Sequence, residues 1–168
     1  DKCFPADKYA YCFIEMKDGI ETYKIYQPFS ENYKWINNHN NSIWSGWTQL
    51  PPKSDDLIIT KSTKDVMAIH TLTGIPAVAL QSENVLPKKQ VMDELFSRFE
   101  TIYVFYDNDY DKSENFGKIF GNRLATMFGL IDIYIDDDYR SKDFSDLIKN
   151  VGKDQAKEIL TRDMMIPF

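Results

Sequence analysis

From residue 57 to 150, short unbroken apolar runs alternate with longer segments of helical period. Leu57-Ile58-Ile59-Thr60, Ala77-Val78-Ala79-Leu80, Ile102-Tyr103-Val104-Phe105-Tyr106 and the run 131–135 are each too short for a helix, and the first three do not alternate polar with apolar. Runs of that kind suit strands buried on both faces, as in parallel sheets. Between them, residues 63–73 form a segment with Val66, Met67, Ile69 and His70 on one face, closed by Gly74. A second begins near Pro87 and turns Val91, Leu95 and Phe99 inward. The third has the clearest period, through Phe116, Ile119, Phe120, Arg123, Leu124, Met127 and Phe128, and stops at Gly129. Short helices are expected over 143–149 and 153–160. Strand–helix alternation implies a largely parallel sheet covered by helices on both faces.

The preceding segment is of another kind. Residues 11–16 and 21–26 read as two strands joined by Asp18-Gly19, a hairpin signal. Pro51-Pro52-Lys53-Ser54-Asp55 marks a boundary. The organisation expected is a small β-rich subdomain over 1–52, an α/β domain over 55–150 and a helical extension over 151–168. The first residue is Asp1, not Met, as in a fragment or processed chain. Trp35, Trp44 and Trp47 can fill the core of the small subdomain or stack on bases, and the first is expected. His70 is expected to be a satisfied core histidine, and Cys3 and Cys12 to be reduced thiols of an intracellular, cytoplasmic protein. No run approaches the ~20 apolar residues of a membrane span.

The chemistry lies in the acids. The formal charge is −6, unlike a free-standing nucleic-acid binder with a basic surface. In open α/β sheets functional groups gather beyond the carboxyl ends of the strands, and three such ends here are acidic: Asp107-Asn108-Asp109, Glu83 within Gln81-Ser82-Glu83-Asn84, and Asp136-Asp137-Asp138 followed by Asp143. Carboxylates crowded without a cation repel and raise one another's pKa. A divalent ion with hard oxygen ligands removes that cost. The triple Asp is expected to be a solvated face, and Asp143 is either a helix N-cap or a ligand.

The order of these motifs resembles the Toprim domain shared by bacterial and phage-type primases, type IA and type II topoisomerases and some nucleases. Lys61-Ser62-Thr63-Lys64-Asp65 stands where the family usually has Glu-Gly-x-x-Asp, so Asp65 matches while Lys61 replaces the Glu. Asp107-Asn108-Asp109 matches the family's Asp-x-Asp, Gly117 the glycine opening the next helix, and Lys142-Asp143 the primase Lys-Asp motif. The resemblance implies a Toprim α/β fold and metal-dependent nucleotidyl transfer making RNA primers on single-stranded DNA. Mg2+ or Mn2+ would be held by Asp107, Asp109, Glu83 and Asp143, with Asp65 in support. Lys61, Lys64 and Lys142 would face nucleotide phosphates, and Asp107, Asp109 and Lys61 would be the catalytic group. At the Glu position three readings stay open: Glu83 replaces the lost carboxylate, which is expected; Lys61 contacts phosphate; or the domain is a silent module binding DNA or a replication partner. A Toprim nuclease is a further alternative. Ribonucleotides and template are the implied partners, with a helicase and a zinc-binding template reader supplied elsewhere.

Overall fold

The computed structural model describes residues 8–38, 40–80 and 86–165. Two sheets organise them. The first is an antiparallel meander of β1 (Tyr11–Lys17), β2 (Ile20–Tyr26) and β3 (Trp35–Asn37), in the order β1-β2-β3. Its hairpin turns at Asp18-Gly19, both with positive φ as the short turn requires. The second sheet contains β4 (Ser54–Thr60), β5 (Ala77–Ala79), β6 (Phe99–Phe105) and β7 (Ile131–Ile133). Its order is β5-β4-β6-β7 and every pairing is parallel.

Alternation along the central strands divides the core in two. Leu57, Ile59, Ile102 and Val104 face α2 (Lys89–Arg98) and α3 (Phe116–Phe128). Ile58, Tyr103 and Phe105 face α1 (Thr63–Thr73), α4 (Phe144–Val151) and α5 (Lys153–Glu158). The strands are apolar on both faces because both faces are covered. The expected Toprim-like arrangement, a mostly parallel sheet flanked by helices after a small β-rich unit, is the observed one.

Several details differ from the sequence reading. Phe99 is not helical but opens β6, buried there. Met67 and His70 are exposed: α1 buries only Thr63, Asp65, Val66 and Ile69, a narrower stripe. His70 instead sits in the last helical turn, with its Nδ1 3.3 Å from the Ile75 carbonyl oxygen. On α3 the buried stripe is rotated by about one residue from the apolar one. Phe116, Ile119 and Met127 are exposed, while Gly117, Gly121, Leu124 and Ala125 are buried. The small residues win because the helix backbone comes close to the end of β6. A Cβ on Gly117 would lie 1.8 Å from the Asp107 carbonyl oxygen.

The tryptophans divide as well. Trp44 and Trp47 are buried, but in the core of the parallel sheet against Leu57, Val78 and Leu95. They arrive there because Ser45 pairs with Ala79 through two backbone hydrogen bonds of 2.9 Å, closing the β5 edge of the sheet. Trp35 is 48% exposed on the meander. One buried carboxylate joins the meander to this segment. Glu15 accepts hydrogen bonds from the Gly46 N–H (2.6 Å), the Thr48 N–H (3.0 Å) and the Thr48 hydroxyl (2.9 Å). Lys17 adds an ion pair to Glu94 of α2 and lies 3.7 Å over the Trp47 ring. No helix among the described residues is long and apolar enough to cross a membrane.

Gly117→Ala forces α3 away from the end of β6. The expected loss is about 3 kcal/mol, at the upper end for overpacking, read as a fall in the urea midpoint with little change in slope. Wild-type stability in this variant would refute the close approach.

Candidate metal centre and its lysine shell

The carboxyl ends of β4 and β6 lie side by side, with Thr60 opposite Phe105. The chain leaves both strands directly into chemistry-bearing residues. After β4, Lys61 and then Ser62, the N-cap of α1, lead to Asp65 in the first helical turn. The Ser62 hydroxyl accepts from the Asp65 N–H at 3.2 Å and donates to its carboxylate at 2.5 Å, so the cap also fixes the acid's rotamer. After β6 come Asp107, Asn108 and Asp109, all buried. Asp143 is the N-cap of α4: one of its oxygens accepts from the Asp146 N–H at 2.9 Å. Its other oxygen faces Lys64.

Asp65, Asp107 and Asp143 converge, each offering one carboxylate oxygen within 4.8 Å of the other two. The set is all hard oxygen, and it is drawn from three segments far apart in sequence. That donor set fits Mg2+ or Mn2+. Asp109 is not in this trio. Its Oδ1 takes Lys112 at 2.7 Å and Lys142 at 3.0 Å, while its Oδ2 faces the Gly117 N–H at 3.4 Å. Lys142 also reaches Asp107 at 3.5 Å, bridging the two carboxylates of the Asp-x-Asp motif. Glu83, expected as the replacement carboxylate, lies outside the described residues.

Electrostatics distinguish these acids. Burial, then the charge of Asp143, pushes the Asp65 carboxyl up to about 6, against hydrogen bonding from Ser62 and the charge of Lys64. At Asp109 burial pushes upward too, but hydrogen bonds from Lys112 and Lys142 outweigh it and hold the group at about 2. Asp109 is thus a firmly ionised member of a lysine network, whereas Asp65 is a strained anion awaiting countercharge. Lysines surround the trio: Lys61 meets Asp107 at 3.1 Å and Lys64 meets Asp143 at 2.7 Å.

Asn108 is a member of the site that the sequence reading passed over. Fully buried, it donates through Nδ2 to the Ile135 carbonyl and to Asp137, both at 2.7 Å. Its Oδ1 accepts from Asn115, the N-cap of α3, at 2.6 Å. Its backbone N–H donates to the Lys142 carbonyl at 2.7 Å. Asp137 therefore belongs partly to this network rather than to a purely solvated face, and Lys118 also reaches it at 3.0 Å. Ser145, which donates to Asp65 at 3.3 Å, was likewise missed. A polar residue between two acids after a buried strand is the signal that could have found Asn108. Nothing local marks Ser145.

Solved structures share this architecture. The Escherichia coli primase catalytic core superposes with a TM-score of 0.67 at 19% identity, covering 95% of this chain and 54% of that one. The fold is of the Toprim primase-core type. A DnaG primase catalytic domain bound to single-stranded DNA gives 0.63 at 18% identity, covering 86% of this chain and 48% of that one. A chain from a complex of the bacteriophage T7 lagging-strand DNA polymerase with the primase domains of two gp4 subunits gives 0.63 at 16%, covering 90% and 75%. The chain thus spans about half the length of the two primase catalytic structures. No family model and no curated protein matches the sequence.

The crowding has a thermodynamic signature. A carboxyl whose folded value, about 6, exceeds its ordinary 3.8 makes the folded state bind more protons, so stability falls as pH rises through that window. Asp65→Asn removes the effect. The metal-free variant should exceed wild type by up to ~3 kcal/mol at pH 8, with the difference shrinking toward pH 4. Urea unfolding at the two pH values checks this; a variant no more stable at pH 8 would contradict it.

Proposed function

We propose that the chain is a metal-dependent nucleotidyltransferase module of the primase kind, joining ribonucleotides on single-stranded DNA. The observation that carries this is the convergence of Asp65, Asp107 and Asp143 at the carboxyl edge of a parallel sheet, in a fold shared with primase catalytic cores. A bound Mg2+ or Mn2+ would neutralise triphosphate charge and orient a 3′-hydroxyl for in-line attack. Asp65, Asp107 and Asp143 are the residues that would hold it. If Glu83 contributes, it completes the set in place of the family's Glu.

The protein's own residues do the rest. Lys61 and Lys64 each hold a carboxylate of the trio. With those carboxylates held by a cation, both ammonium groups would be free to meet phosphate oxygens, which would keep the charge balanced. Lys142 keeps Asp107 and Asp109 in one arrangement. Asn108 and Gly117 set the backbone from which both acids project. One similar structure is bound to single-stranded DNA and another is assembled with a polymerase, an RNA/DNA hybrid and dTTP. By that likeness the partners are single-stranded DNA template, ribonucleotides and replication proteins.

A second reading has one observation behind it. Lys61, standing where a carboxylate is usual, already lies on Asp107, as in a module neutralised from within that only binds DNA or a partner. The two readings separate experimentally. Calorimetric titration with Mn2+ should show a site that weakens about tenfold or more in Asp107→Asn, and dinucleotide formation on single-stranded DNA should be lost in the same variant. If the module is self-neutralised, wild type shows no Mn2+ site and Lys61→Glu creates one. Equal Mn2+ affinity in wild type and Asp107→Asn would overturn the enzymatic reading.

A further inference from the structure

A cleft of about 470 Å3 separates the meander from the start of α1, and one of its ends is the metal centre, through Asp107 and Asp143. Its volume falls in the range of small-ligand sites. The other end is aromatic. Tyr26 and Trp35 stand opposite one another on β2 and β3 and stack at 4.3 Å with an interplanar angle of 24°. Lys24, which also lines the cleft, lies 4.8 Å over the Trp35 ring, and burial lowers its pKa. Among the described residues no further strand pairs with β3, an edge strand of the meander, and Trp35 is 48% exposed. From α1, Met67 borders the same cleft and is 46% exposed. A large exposed indole, already stiffened by a stacked tyrosine and facing a thioether, has little structural purpose on a small surface sheet. It does suit a flat π-system inserted beside it.

The geometry points to a nucleoside triphosphate bound across this cleft, its base stacked on Trp35 against Met67 and its phosphates directed to Lys61, Lys64 and the metal centre. This rests on the functional reading above and deepens it. The aromatic end supplies sequence-tolerant stacking, since every base has a π-face, and the lysine end supplies countercharge. The cleft's size matches one nucleotide rather than a track of several. Trp35 is then a positioning residue: it fixes the base, and through it where the phosphates fall relative to Asp107 and Asp143.

Trp35 is also the reporter, because Trp44 and Trp47, the other two tryptophans, are buried in the main core. With Mg2+ present, ATP should quench the exposed indole, while inorganic tripolyphosphate, which lacks a base, should bind without quenching. By calorimetry, Trp35→Ala should weaken ATP roughly tenfold or more and leave tripolyphosphate unchanged. Trp35→Phe should restore most of the ATP affinity, which separates stacking from a folding defect. Equal loss of both ligands, or undiminished ATP binding in Trp35→Ala, would overturn the assignment. So would quenching by oligo(dT) with none by ATP. Quenching by ATP without any nucleotidyl transfer would leave the cleft's ligand standing and remove the polymerase reading instead.

Discussion

Everything at the carboxyl edge of the sheet depends on one buried amide. Asn108 sits between two acids, wholly out of water, and each of its side-chain polar atoms is used. A buried amide left half-satisfied would cost on the order of 1–3 kcal/mol, so its four partners, Ile135, Asp137, Asn115 and the Lys142 carbonyl, are drawn to fixed places around it. Those partners belong to the segment after β7, the start of α3 and the approach to α4. By satisfying itself, the asparagine brings together segments that would otherwise be loops of independent course. Gly117 completes the constraint from the other side, by letting a helix backbone touch the strand end directly.

That frame makes possible an otherwise unfavourable arrangement. Three carboxylates each bring an oxygen within 4.8 Å of the other two, and the fold tolerates them by answering each with a lysine or a hydroxyl. The answers are unequal. Asp109 is overcompensated by two lysines, whereas Asp65 has one hydroxyl hydrogen bond at 2.5 Å, a longer one from Ser145, and two carboxylate neighbours. Cation binding would draw on such an imbalance, because full internal neutralisation would leave no driving force for an incoming ion.

The sequence made much of this legible, for physical reasons. Strand segments covered on both faces must be apolar there, so the central runs of β4, β5 and β6 announced themselves and with them the parallel sheet. Acids placed just beyond such strands have few structural excuses, which is why Asp107 and Asp143 could be picked from a chain of many acids. Asp65 was reached only through the family resemblance, as a supporting acid, and Asp109, picked as a main ligand, stands in a lysine network outside the trio. Other features were not legible. The buried face of α3 was misread because apolar periodicity points to the side chains a helix could bury, whereas close approach selects the residues that have almost none, Gly117 and Gly121. Trp44 and Trp47 were assigned to the wrong core because the Ser45–Ala79 bridge that carries them across is a single long-range pairing with no local pattern. Glu15 looked like one polar position in an alternating strand, and only its three donors from residues 46 and 48 show why it is buried.

That Glu15 carboxylate bears on how the cleft can behave. Moving the meander relative to the sheet would strip three donors from a buried anion at once, a penalty far beyond thermal energy. The aromatic wall and the acidic wall are therefore held at a set spacing, without a hinge between them. A nucleotide taken up there, as proposed, would meet a gap whose width is tied to that carboxylate, and its selection would rest on fit at entry.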